Sequence, residues 1–77
     1  MTNDREFKRY LKELGASLRR LREKRDWSLE KAEEQGFHDW KYLQRIESGR
    51  NITLVTLMKL ADLYDVEPWE LLKAVKR

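Results

Sequence analysis

Phe7, Leu11, Leu14, Leu18 and Leu21 follow one another at alternating steps of four and three, the seam of an amphipathic helix. Asn3 and Glu6 form a capping box at its start. Gly15 interrupts the seam at roughly 1 kcal/mol relative to alanine in a helix interior. It marks either a break or a place where another helix packs closely. Because the seam keeps its phase across the glycine, the pattern predicts one continuous helix from Asn3 to about Lys24. Asp26, Trp27 and Ser28 end it. Ser28 is the N-cap of a second helix, and Trp27 is an apolar plug before it.

The second helix is short, Leu29 to Gln35. Gly36 is placed to close it in a left-handed conformation, with Phe37 supplying the apolar contact that accompanies such closures. His38 reads as a turn residue beside Phe37. Asp39 then caps a third helix in the stretch DWKYLQRIESGR. Leu43 and Ile46 lie three apart there and share the inward face, while Trp40, Lys41, Gln44 and Arg45 fall on other faces. Gly49 suits the turn that ends this helix of about nine residues. Thr53 caps a fourth helix, in which Leu54, Leu57, Leu60, Ala61 and Tyr64 keep near a 3.6-residue period. Pro68 takes the first position of a fifth. In that last helix Trp69, Leu71, Leu72 and Val75 supply two apolar faces rather than one.

At 77 residues there is room for one small domain and none for a deep catalytic cleft. Hydrophobic and charged residues each make up 40%, and three glycines and one proline leave few breakers, so a helical domain is expected rather than a disordered chain. With no cysteine and one histidine, disulfides and thiolate metal sites are excluded and no metal or cofactor is expected. The N-terminus is charged and nowhere do 18 apolar residues run together, so no membrane span is expected and the cytoplasm is the expected location. A net charge of +3 argues only weakly for nucleic acid; the placement of the cations matters more. They concentrate from Arg19 to Arg25 and recur at Lys41, Arg45 and Arg50. Glu30, Glu33 and Glu34 read as a solvated helix face that would be turned away from a duplex.

The outer side of the third helix offers a large ring, two cations and an amide. Arg donates bidentately to guanine, Gln pairs with adenine, and Lys reaches phosphate or guanine. Two short helices joined through a glycine, with a polar outer face on the second, form a helix-turn-helix pattern. The segments LGASLRRLREK, YLQRIESGRN and LVTLMKLADLYDVEPWELL, with Ser28 as the cap, resemble the Cro/C1-type (Xre-like) helix-turn-helix family almost end to end.

That resemblance implies an all-α, five-helix, lambda-repressor-like DNA-binding domain over residues 1–77. The helix-turn-helix would occupy 28–47, the C-terminal helices 53–77, and residues 1–14 an N-terminal extension of the first helix. It implies that Trp40, Lys41, Gln44 and Arg45 face the major groove, and that Ser28, Tyr42, Arg50, Asn51 and Thr53 lie near phosphates. It also implies an ion pair between Arg22 and Glu47. The partner is expected to be palindromic double-stranded DNA bound by a homodimeric transcriptional regulator, a repressor by preference, with no small-molecule ligand. Trp69, Leu72 and Val75 are the candidate dimer surface; the alternative is that Trp69 only caps the core. Two departures stand out: Glu33 occupies a position where the family carries alanine, and Gly36 comes one residue before the family's turn glycine, at Phe37. A restriction-modification controller, an antitoxin, and a protein-interaction module that has lost DNA contact are the rival readings. No nucleophile-base pair or phosphate loop appears, so an enzyme is not expected.

Overall fold

Among the described residues five helices are formed: α1 (Asp4–Lys24), α2 (Leu29–Glu34), α3 (Trp40–Glu47), α4 (Leu54–Leu63) and α5 (Pro68–Lys73). The structure is a computed structural model and describes residues 3–73 and 75. No strand occurs among the described residues, and the architecture is all-helical. No helix among them is long and apolar enough to cross a membrane.

The first four helices start on side-chain caps. Asn3 accepts from the Glu6 N–H, Ser28 from Lys31, Asp39 from Lys41 and Thr53 from Thr56. Each removes one of the orphan donors of a helix start. The same four helices close alike. The amides of Trp27, Phe37, Arg50 and Val66 donate back to the carbonyls of Arg22, Ala32, Arg45 and Ala61, the long bond of a Schellman turn. The residue before each of these donors is left-handed: Asp26 at φ 57°, Gly36 at 129°, Gly49 at 109° and Asp65 at 54°. The two aspartates do what glycine does at the other two closures, because Asp tolerates this region better than most residues.

At 21 residues α1 is about 31 Å long, against a longest molecular dimension of 39 Å. It is the spine. Leu14 and Leu18 from α1, Leu43 and Ile46 from α3, Leu57, Leu60 and Ala61 from α4, and Leu71 from α5 are buried with Ala32, Phe37 and Tyr64. The glycine in the α1 seam is where α3 crosses: a Cβ on Gly15 would lie 2.5 Å from the carbonyl oxygens of both Ile46 and Glu47. Close packing, not a break, explains it. Phe7 and Leu54 carry the apolar pattern but not the burial. Phe7 belongs to the first two turns of α1, and Leu54 to the first turn of α4, which together with Val55 and Met58 leaves an apolar strip open to solvent.

Arg25 ties the end of α1 to the end of α4. Its guanidinium donates to the carbonyls of Leu21 and Tyr64 and lies over the rings of Trp27 and Tyr64 at 5.9 and 5.4 Å. The Tyr64 ring is fully buried, and its hydroxyl has no hydrogen-bond partner among the described residues. Burial pushes the phenol up to about 12, with the charge of Glu47 adding to the shift and Arg22 and Arg25 opposing it. Since the folded chain holds the neutral phenol more tightly than the unfolded chain does, this contribution to stability is complete below pH 10. It declines as pH rises from about 10 to about 12. Tyr64→Phe removes an unsatisfied buried hydroxyl and should leave the melting temperature at pH 7 unchanged or raised. The variant should also lose less stability than wild type between pH 10 and 12 in thermal melts followed by circular dichroism. A drop in melting temperature at pH 7 together with an unchanged alkaline limb would contradict this account.

Candidate nucleic-acid interface

α3 buries Leu43 and Ile46 completely and turns Lys41, Gln44 and Arg45 to solvent, with Trp40 half-buried. Trp40 and Gln44 stand one turn apart, as do Lys41 and Arg45, so the four side chains form two adjacent rows on the outer side. The Lys41 ammonium sits 5.8 Å from the centre of the Trp40 ring.

Both ends of this helix are held. At its start Asp39 accepts from the Lys41 N–H at 2.9 Å, and Glu33 Oε1 reaches back across the turn to accept from the Trp40 N–H at 3.0 Å. Glu33 is therefore not simply part of a solvated face: it caps α3, and this accounts for an acid where the resemblance would put alanine. The signal was available, since the first amides of a helix need acceptors and favour anions, but it spans seven residues and depends on how the turn folds. Within the turn Gly36 supplies the left-handed residue and Phe37 is buried in the core. The Phe37 ring stacks on His38 at 4.7 Å and on Tyr42 at 6.0 Å, and the Arg50 guanidinium lies 5.8 Å from the Tyr42 ring.

At the other end Arg22 grips Glu47. Nε donates to Oε2 at 2.8 Å, Nη2 donates to Oε1 at 2.9 Å, and Nη1 donates to the Trp27 carbonyl at 2.8 Å. The side chains are only 11% and 6% exposed. The bidentate bond to Glu47 raises the Arg22 guanidinium above its ordinary range, against the opposing effect of burial. Arg19, Arg22, Leu29, Gln44, Glu47 and Ser48 line a shallow recess among α1, α2 and α3.

The remaining candidates are less uniform. Arg50 and Asn51 are exposed in the loop after α3, and Tyr42 is half-buried. Ser28 and Thr53 are exposed, with their hydroxyl oxygens already accepting from Lys31 and Thr56 amides. Trp69 and Leu72 are half-exposed on α5, whereas Val75 packs against the core. Of the basic run from Arg19 to Arg25, Arg22 and Arg25 are used inside the fold, and Arg19 pairs with Glu23 at 3.2 Å on the surface. Among the described residues no three His, Asp or Glu side chains are grouped to hold a metal ion.

Residues 13–74 match a family model described as a helix-turn-helix domain. No curated protein and no solved structure matches the chain significantly.

Glu47→Ala strands a buried guanidinium and should cost about 3–5 kcal/mol, lowering the melting temperature by more than about 10 °C for a domain of this size. Replacing Arg22 and Glu47 together by leucine should recover much of that loss. A single variant melting within a couple of degrees of wild type would mean that the pair does not hold α3.

Proposed function

Because the chain belongs to the helix-turn-helix domain family, we propose that it is a transcriptional regulator of the Cro/C1-type (Xre-like) kind that binds duplex DNA sequence-specifically and acts as a repressor. The observation that carries this is the outer side of α3: four side chains suited to base edges, on a helix anchored at both ends and so presented without further ordering. Arg45 donates bidentately to guanine, Gln44 pairs with adenine, Lys41 donates to guanine or phosphate, and the Trp40 ring packs on the apolar part of the groove. Ser28, Tyr42, Arg50, Asn51 and Thr53 set the register on phosphates. No cofactor is needed, and the cytoplasm supplies the partner.

A homodimer completes the proposal. Trp69 and Leu72 leave a half-exposed apolar surface on α5, while Val75 packs against the core, and a two-fold pairing across it would set two copies of α3 on half-sites about 34 Å apart in a palindrome. A restriction-modification controller or an antitoxin would use the same interface, and the neighbouring gene distinguishes them. One observation favours a second reading, a protein-interaction module: the carboxylates of Asp39 and Glu33 sit together at the start of α3, where they would repel a phosphate.

Arg45→Ala should weaken binding to the preferred duplex by about 1–3 kcal/mol and relax the preference at one base pair. Equal loss on all sequences in fluorescence titrations would make Arg45 a phosphate contact instead. Leu72→Glu should convert a dimer into a monomer in multi-angle light scattering. A dimer mass that survives the substitution, or a wild type that is already monomeric on DNA, would refute this interface.

A further inference from the structure

α1 carries a line of cations that base reading by α3 does not use. Lys8, Lys12, Gly15 and Arg19 follow at steps of four, three and four, so they share one edge of the helix. Gly15 identifies which edge it is, since it abuts the carbonyls of Ile46 and Glu47 in the last turn of α3. One turn toward the N-terminus, Lys12 stands over the loop that leaves α3, close enough that a Cβ on Gly49 would come within 2.9 Å of its Cγ. One turn the other way, Arg19 shares the recess with Gln44 and Ser48. The edge therefore borders the chain from Gln44 in α3 to Gly49 in the loop after it, and Lys8 continues it one turn further.

Between Lys8 and Arg19 this edge carries no acid, and Asp4 and Glu23 stand one turn beyond its two ends. Glu13 is bound by Arg9 at 3.2 Å, and Glu6 accepts from the Tyr10 hydroxyl at 3.5 Å, both off the line. Lys8 and Lys12 are exposed and make no ion pair among the described residues. Geometry supplies the reason such cations matter. A helix about 10–12 Å across fills a major groove about 12 Å wide, so a phosphate strand runs along each of its sides. A helix packed at 8–10 Å from it overlies one of those strands.

We propose that the edge of α1 bearing Lys8, Lys12 and Arg19 is a second backbone-contacting surface, which lies along the phosphates flanking the groove that α3 enters. Lys8 and Lys12 precede the span matched by the helix-turn-helix family model, so the first turns of α1 lengthen the footprint beyond the common domain. The inference rests on DNA binding through α3. Arg19 exchanges its exposed partner Glu23 for a phosphate, whereas the two lysines have no such partner among the described residues to give up.

The test is the salt dependence of binding by the full chain. Lys8→Gln/Lys12→Gln is compared with wild type on the preferred duplex, with Arg20→Gln/Lys24→Gln as a control that removes the same charge from the other side of α1. Losing two phosphate contacts should lower the magnitude of the slope of log affinity against log salt by roughly 1.8, with the same preferred sequence, while the control keeps a slope close to wild type. Both pairs are exposed, and circular dichroism melts should superimpose. An unchanged slope for Lys8→Gln/Lys12→Gln, or an equal fall in the control, would overturn the surface while leaving base reading by α3 intact. A wild type that binds no duplex at any salt would overturn both.

Discussion

Everything α3 could do depends on its contact with α1. Gly15 lets the two backbones meet, because any side chain there would strike the Ile46 and Glu47 carbonyls. That approach brings Glu47 within reach of Arg22, which spends two donors on the carboxylate and a third on the Trp27 carbonyl. One arginine thus fixes the end of α3, the end of α1 and the turn between α1 and α2. A buried ion pair gives little net stability over an apolar replacement, yet removing one partner is severe. Its effect here is geometric, holding the angle at which α3 is presented.

The start of α3 is fixed by different means. Phe37 anchors the turn in the core, while Asp39 and Glu33 each take one of the first amides. Anchoring at both ends leaves this helix of eight residues little conformational freedom to lose on binding any partner. The two carboxylates also place negative charge beside the first turn of α3.

Much of this was legible as periodicity and caps. The α1 seam kept its phase through Gly15, the N-caps Asn3, Ser28, Asp39 and Thr53 stood before apolar runs, and Gly36 and Gly49 marked left-handed closures. What stayed hidden depends on tertiary placement. Asp26 and Asp65 adopt the same closure without glycine. Glu33 becomes a cap only because the turn brings it beside Trp40. Arg25 belongs to the basic run that starts at Arg19, yet its guanidinium lies between two rings and a carbonyl. Leu54 has the right period for the core but sits on the first turn of α4, where nothing covers it. Periodicity says which residues share a face, and neighbours decide whether that face is covered.

The central claim, that α3 reads a duplex, is tested most directly by selecting the purified chain against a randomised duplex library at two salt concentrations. Enrichment of one palindromic sequence, with affinity falling steeply as salt rises, is the expected result. Failure to enrich any sequence, with only weak binding at low salt, would contradict it and leave the paired carboxylates at the start of α3 as evidence for a protein partner.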